Sequence, residues 1–286
     1  MQTISQLVPL RSAVDALKAD GALALVPTMG ALHEGHLTLV RAARQRAAHV
    51  AVSIFVNPRQ FGPNEDLDAY PRQLARDSAL LEAEGVSLLW APTVEAMYPA
   101  GYATNIAVNG VSDGLCGAAR PGHFDGVATV VCKLFNQVRP DIALFGEKDW
   151  QQLAVIRRMA RDLDLTAPHV DAIIGVPTVR EADGLAMSSR NAYLDAAQRA
   201  QAACLPRAMQ AAIAAMRGGM AYDQALAALR ANLLAGGFHT VDYAEVRGAD
   251  SIALMDGPQD GPGAEAGRLF VAARIGSTRL IDNQSL

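Results

Sequence analysis

Two histidines three residues apart, His33 and His36, close the stretch Pro27-Thr28-Met29-Gly30-Ala31-Leu32-His33-Glu34-Gly35-His36. A spacing of three puts both on one face of a helix, and a helical pattern begins here just as an apolar, strand-like run ends. Gly30 and Gly35 let backbone come close to a ligand. The helix start offers N–H groups and a partial positive charge, which suit phosphate. Imidazoles in that place can hydrogen-bond phosphate oxygens and stabilise the charge that grows when an α-phosphate is attacked. The plainer alternatives are a helix cap or a metal pair. Metal pairs usually take i,i+4 spacing with a further ligand close by, and the glycines favour phosphate.

Three further segments carry matching chemistry. Met187-Ser188-Ser189-Arg190 follows Asp183-Gly184-Leu185 in a stretch too polar and Gly-broken for a strand. Two hydroxyls and a guanidinium suit triphosphate oxygens, which arginine can bind in a bidentate way. Alone, this segment reads more simply as a helix cap leading into Ala192-Tyr193-Leu194; paired with the histidines it reads as a basic loop over phosphates. Asn57 and Gln60, in Ser53-Ile54-Phe55-Val56-Asn57-Pro58-Arg59-Gln60, would project neutral amides suited to a small hydroxylated substrate, or form a polar turn. Phe145-Gly146-Glu147-Lys148-Asp149-Trp150-Gln151-Gln152 offers Lys148 to offset phosphate charge, Asp149 to help hold magnesium, and Gln152 one turn further along. It is also an acceptable helix start, with acids in the first turn.

The elements that must position these groups follow from the apolar pattern. Ala22 to Val26, Val50 to Val56, Val86 to Trp90, Ile142 to Phe145 and Val170 to Val176 read as buried strands. Between them, Leu37 to Ala48 and Leu74 to Glu84 have helical apolar spacing. Such alternation predicts an α/β fold, with right-handed crossovers and a mostly parallel, Rossmann-like sheet. Ligands then belong at the carboxyl ends of the strands. After Pro177 the pattern changes. Asp195 to Arg217 and Tyr222 to Leu234 read as Ala-rich amphipathic helices, and Val241 to Arg247, Arg268 to Ile275 and Thr278 to Asp282 as strands. A Gly/Pro-rich, flexible insert spans Asp256 to Gly267. The expected division is a nucleotide-binding domain over 1–177 and a smaller α+β domain over 178–286 that carries the serine–arginine loop at its start.

Composition sets the outer limits. The chain has 286 residues with 51% apolar and 19% charged, an ordinary globular balance. A net charge of −4 argues against a nucleic acid partner. The N-terminus lacks a secretory pattern and no run of about eighteen apolar residues occurs, so a cytoplasmic chain that does not enter a membrane is expected. Cys116, Cys132 and Cys204 are far apart and outside metal-binding spacings; reduced, mostly buried thiols are expected.

The strand, HxGH and helix in this order resemble the HIGH signature of the nucleotidylyltransferase superfamily, and the serine–arginine loop resembles its KMSKS signature. Taken with SIFVNPRQFG, DLDAYPR, ARPGHFDGVATVV, LFGEKDWQQL, DGLAMSSRNAYL and TRLIDN, the chain closely resembles the pantoate–β-alanine ligase family from about Leu25 to Asn283. The resemblance implies a two-step ligase that forms a carbon–nitrogen bond: pantoate and Mg-ATP give pantoyl-adenylate and pyrophosphate, then β-alanine displaces AMP. It implies ATP along Met29, Gly30, Ala31, Leu32, His33, Glu34, Gly35 and His36, on Gly146, Glu147, Lys148 and Asp149, near Val179, and on Met187, Ser188, Ser189 and Arg190. His36, His33, Lys148 and Arg190 take the catalytic roles, the histidines chiefly as charge stabilisers. Gln60, Gln152, Asn57, Arg120 and His123 would face pantoate and β-alanine, although Arg120 and His123 also fit a Gly-Pro turn with a surface arginine. Asp149 would touch magnesium on the phosphates, and a homodimer is implied. Arg59, Trp150 and Glu34 depart from the usual family residues without removing a group the chemistry needs. A nucleotidyltransferase acting on another small acceptor shares HxGH, but it would want a cationic acceptor pocket where this chain offers Gln60 and Gln152. A tRNA synthetase would need more length, and a catalytically dead nucleotide-binding regulator would be expected to lack His36 or Lys148.

Overall fold

A computed structural model describes residues 1–286 except Asn64, Asp66 and Asp260. Asp66, in the DLDAYPR motif, and Asp260, in the Gly/Pro-rich stretch, therefore lie outside the described residues. The chain runs β1 (Gln2–Ile4), α1 (Leu7–Asp20), β2 (Leu23–Thr28), α2 (Glu34–Arg44), β3 (His49–Ile54), α3 (Leu74–Ala83), β4 (Leu88–Trp90), α4 (Val94–Met97), α5 (Leu115–Ala119), α6 (His123–Val138), β5 (Ile142–Gly146), α7 (Trp150–Asp162) and β6 (Ile173–Val176). It continues with α8 (Ala196–Ala202), α9 (Cys204–Arg217), α10 (Tyr222–Ala235), β7 (Thr240–Gly248), β8 (Gly267–Ile275) and β9 (Thr278–Ser285).

The first six strands form one sheet in the order β1-β4-β3-β2-β5-β6, and all its pairings are parallel. Successive side chains alternate between its faces, as a strand requires. Leu23 and Leu25, Ala51, Leu88 and Trp90, and Ala143 and Phe145 point to a core shared with α1, α6 and α7. Ala24 and Val26, Val50 and Val52, Leu89 and Leu144 point the other way, to a core shared with α2 and α3. Both faces are covered, which is why these strands read as continuous apolar runs instead of alternating ones. The α/β architecture is the expected one.

The last three strands form an antiparallel sheet in the order β7-β8-β9. Leu269, Val271 and Ala273 of β8 face α9 and α10, whereas Phe270 and Ala272 join the core of the first sheet's helices. Trp150 is sandwiched into the same junction: its Nε1–H donates to Ala249 O at 2.6 Å and its ring lies 3.5 Å below the Arg268 guanidinium.

Several expectations need correction. The stretch Val170 to Val176 is not all strand, since Val170–Ala172 makes a 3-10 turn before β6. The helix expected from Leu37 begins three residues earlier, because the His33 side chain caps its start, and it stops at Arg44. Asp195 to Arg217 is two helices broken at Ala203. Pro206 explains the break, because a residue without an N–H suits a first turn and not a helix interior. Of the cysteines, all free, only Cys116 is buried. The Gly/Pro-rich stretch lies, as expected, between two strands of the second sheet, and near its end the Glu265 carboxylate accepts from the Asp250 and Ser251 N–H groups.

Asp282 on β9 is fully buried and accepts two hydrogen bonds from Arg180, at 2.7 and 2.9 Å, and one from the Asn283 N–H. Removing one partner of such a pair strands the other. Asp282→Ala is expected to lower the unfolding free energy by roughly 3 kcal/mol in urea denaturation. A change below about 0.5 kcal/mol, the size of an ordinary surface substitution, would show that the pair ties nothing together.

Candidate active site

From β2 the chain moves outward through β3 and β4, then returns to place β5 on the other side of β2. The loops leaving β2 and β5 therefore diverge at their carboxyl ends and open a crevice, the place where such sheets bind ligands. The β2 loop carries the histidines. Gly30 and Ala31 have φ of +87° and +52°, a left-handed turn that brings the chain round to α2. Asp77 of α3, wholly buried, holds that turn: its carboxylate accepts from the Ala31 N–H at 2.8 Å and the Leu32 N–H at 3.0 Å. Those two donors are thus engaged and do not face the crevice.

The imidazoles are fixed by backbone groups that can only donate. The Gly35 N–H donates to His33 Nδ1 at 3.1 Å, and the His33 N–H donates to His36 Nδ1 at 3.3 Å. Both rings must then carry their proton on Nε2. The rings lie 4.1 Å apart, centroid to centroid. Burial, with Lys148 next in weight, lowers the His33 pKa to about 4. Burial, then His33 and Lys148, lowers that of His36 to about 3. The loop accordingly presents two neutral N–H donors.

A cavity of about 240 Å³ opens in front of them. Its walls bring together Met29, His33, Gly35 and His36 from the end of β2 to the start of α2, Gly146, Lys148 and Asp149 from the end of β5 and the turn after it with Gln152 of α7, and Val179 with Met187, Ser188, Ser189 and Arg190 from the loop after β6. A short hairpin, bridged between Arg180 and Ala186, aims the last group, and Ser189 Oγ donates to Ala31 O at 3.2 Å. Asn283 of β9 holds the β5 loop, donating from Nδ2 to the carbonyls of Glu147 and Lys148 at 2.9 and 2.8 Å. A larger cleft of about 640 Å³ toward the second sheet shares Lys148, Asp149, Ser188 and Arg190 with this cavity.

Gln60, Arg120 and His123 line the cavity as well. They form one cluster in which the Gln60 carbonyl accepts from His123 Nδ1 at 2.8 Å and Arg120 Nη2 at 3.2 Å. Arg120 Nη1 donates to His123 Nε2 at 3.1 Å, and Arg120 Nε donates to Glu65 at 2.7 Å. Burial, then Arg120, keeps His123 neutral, with a pKa of about 4. Arg120 is therefore held in an ion pair and is not a loose surface arginine.

Six residues expected at the ligand are absent from the cavity wall, among them Gly30 and Ala31 of the left-handed turn. Leu32 is packed in the core beneath α2. Glu34 pairs with Arg41 on the exposed side of α2. Glu147 points back at Gly175, where an added Cβ would lie 3.0 Å from Oε1. Asn57 is buried behind Gln60 and is absent from the cavity wall. Conversely, Asp77 escaped the sequence reading, although a signal existed: it stands four residues before buried Leu81, on the inner face of its helix, where an acid needs partners. Tyr98, which touches Asn57, carried no such signal.

His33, His36 and His123 have folded pKa values below the ordinary 6.5, so the unfolded chain binds more protons between about pH 3 and 6.5. Stability is therefore full above that window and is expected to fall as pH drops through it. Histidine ring resonances followed by NMR should keep His33 and His36 neutral to about pH 5 without ligand. A midpoint near 6.5 for either would contradict the buried, donor-fixed geometry.

The chain is 69% identical to the pantothenate synthetase of Novosphingobium aromaticivorans, covering 100% of this chain and 99% of that one. It is 59% identical to that of Sphingopyxis alaskensis, over 99% of each. The crystal structure of pantothenate synthetase from Thermus thermophilus superposes with a TM-score of 0.90 at 47% identity, over 99% of each chain. That of pantoate-beta-alanine ligase from Francisella tularensis, complexed with beta-gamma ATP and beta-alanine, gives 0.82 at 32% identity, over 100% of this chain and 97% of that one. The family model for pantoate-beta-alanine ligase matches residues 2–285, and the chain belongs to that family.

Proposed function

We propose that the protein joins pantoate to β-alanine with ATP, through a pantoyl-adenylate, in the loops described above. The observation that carries this reading is the convergence of two fixed Nε2–H donors, Lys148 and the Gln60 amide on one cavity. In the first step a pantoate carboxylate oxygen attacks the α-phosphorus, the bond to the bridging β-phosphate oxygen breaks, and pyrophosphate leaves. In the second, the β-alanine nitrogen attacks the acyl carbon, the acyl–oxygen bond breaks, AMP leaves and the nitrogen gives up a proton.

Both reactants of the first step are anions, so the barrier is largely one of gathering negative charge in one place. Neutral N–H donors and a lysine ammonium, oriented before substrate arrives, stabilise that charge with little reorganisation. With pKa values of about 4 and 3, His33 and His36 are poor proton donors at neutral pH, which supports their role as charge stabilisers. Arg190 with Ser188 and Ser189 suits the β- and γ-phosphates, while Val179 and Met187 border the nucleotide. Gln60 and Gln152, with the His123–Arg120 cluster, suit the hydroxy acid and the amine that follows it.

Magnesium fits a single carboxylate. It commonly binds through one or two carboxylates plus substrate phosphates, keeping its waters. Asp149 borders the cavity with its carboxylate 3.8 Å from Lys148 Nζ, and among the described residues no cluster of three or more metal-ligating side chains competes with it. When bound with ATP, the ion would neutralise phosphate charge there. The reading includes a catalytic domain over 1–177, a second over 178–286, a homodimer and a cytoplasmic location. Family membership supports the homodimer, and the net charge of −4 supports small-molecule substrates over nucleic acid. No helix among the described residues is long and apolar enough to cross a membrane.

The test is release of AMP and pyrophosphate from Mg-ATP with each acceptor supplied or withheld. Turnover should require pantoate and β-alanine together, and pantoate alone should support ATP–pyrophosphate exchange. Pantoate giving neither signal would remove the substrate assignment. His36→Ala should fold normally by circular dichroism and slow adenylate formation by roughly 10²–10³. Turnover close to that of the unmodified protein would show that the ring stabilises no charge in the rate-limiting step.

A further inference from the structure

The Gln60 amide is not free to choose which end it shows the substrate. Its neighbour Asn57, only 1% exposed, is oriented by two backbone groups of fixed character. The Arg59 N–H can only donate, and it reaches Asn57 Oδ1 at 3.2 Å. The Gly126 carbonyl can only accept, and it takes a hydrogen bond from Asn57 Nδ2 at 3.0 Å. Asn57 Nδ2 therefore has one further proton to give, and it goes to Gln60 Oε1 at 3.1 Å. Gln60 is left with its NH₂ toward the cavity, where it meets the Met29 thioether at 3.0 Å, a weak acceptor.

A second donor reaches Asn57 from the far end of the sheet. The Tyr98 hydroxyl, at the C-terminal end of α4 beyond β4, donates to Asn57 Oδ1 at 2.9 Å. Burial raises the phenol pKa well above its ordinary value, so the hydroxyl keeps its proton. The ring is anchored by Phe55 and Tyr102, with centroids at 6.1 and 5.1 Å, and by the Arg59 and Lys133 cations, 5.5 and 5.9 Å from its centroid. Gly126 completes the arrangement by allowing contact between α6 and the turn over 58–60. A Cβ there would lie 2.2 Å from Arg59 O.

We propose that Tyr98 is a positioning residue for selection of the acid: through Asn57 it locks the Gln60 amide with its NH₂ in the cavity, so that the site demands a hydrogen-bond acceptor. This rests on the reading that pantoate occupies the Gln60 wall. An acid bound there offers Gln60 a carboxylate oxygen or a hydroxyl lone pair. A compound presenting only a donor leaves two N–H groups facing it and is rejected. Without the tyrosine hydroxyl, Asn57 keeps its two backbone partners but its Oδ1 loses one of two donors, so its hold on Gln60 loosens and only the fraction of molecules with the Gln60 NH₂ in the cavity binds well. The apparent affinity falls by that fraction.

Tyr98→Phe keeps the ring and removes the donor. The expected result is a roughly tenfold rise in the KM for pantoate, the scale of one lost hydrogen bond, with kcat and the KM for ATP unchanged. An unchanged pantoate KM would overturn the relay. So would equal rises in both KM values accompanied by a lower thermal midpoint, since that is what general loosening produces. If the variant does not fold, Asn57→Asp asks the same question, because a carboxylate cannot donate to Gln60 Oε1; a pantoate KM no worse than that of the unmodified protein would again overturn it. Absence of pantoate-dependent ATP–pyrophosphate exchange in the unmodified protein is a separate failure, that of the substrate assignment, and it takes the relay with it.

Discussion

The reversal of strand order beside β2 is the constraint on which the rest of the molecule depends. Two parallel strands that are neighbours in the sheet but not in the chain send their loops apart, and the gap between those loops has to be lined by whatever they carry. Here one loop carries His33 and His36 and the other carries Lys148, Asp149 and Gln152. The first would be free to wander without its tether. Gly30 and Ala31 take left-handed dihedrals, and the buried Asp77 carboxylate engages the two N–H groups that this turn exposes. A helix from one crossover thus fixes the geometry of another, and the histidines inherit that rigidity.

Electrostatics follow from the same placement. Burial and the nearby lysine keep both imidazoles neutral, and backbone donors to Nδ1 decide where each proton sits. The site is therefore built from oriented dipoles with the Lys148 ammonium and the Arg190 guanidinium, which suits a reaction between two anions better than a ready proton donor would. The second sheet lines the larger neighbouring cleft and braces the cavity from outside. Asn283 grips the carbonyls of Glu147 and Lys148, and Arg180, held by buried Asp282, starts the hairpin that ends at Ser188 and Arg190. Side chains from sequence positions 33 to 190 meet on one cavity, and β9, the last strand, ties the two sheets together around it.

How much of this could be read in the sequence depends on the range of the interaction. Strands such as Leu23–Thr28 and Ile142–Gly146 were legible, because burial on both faces writes a continuous apolar run. The histidine loop, the lysine loop and the serine–arginine loop were legible because their chemistry is local and dense. What escaped was long-range. Asp77 needed the knowledge that its helix covers the turn at Ala31, and Tyr98 acts on Asn57 from 41 residues away. Glu34 and Leu32 stand within the histidine motif, yet the face of α2 sends Glu34 to the surface and the turn before it packs Leu32 in the core. The break at Ala203 was hidden by alanines that suit either one helix or two, with Pro206 the only local sign. Short β1 offered just three residues, Gln2–Ile4, and no periodicity to recognise.

Central to the chemistry is attack by the carboxylate of the acid on the α-phosphorus before any nitrogen takes part. Turnover with pantoate labelled with oxygen-18 in its carboxylate tests this most directly. Mass spectrometry should find one labelled oxygen in the AMP and none in the pyrophosphate. AMP without label, or label in the pyrophosphate, would contradict an acyl-adenylate and with it the role given to the histidines.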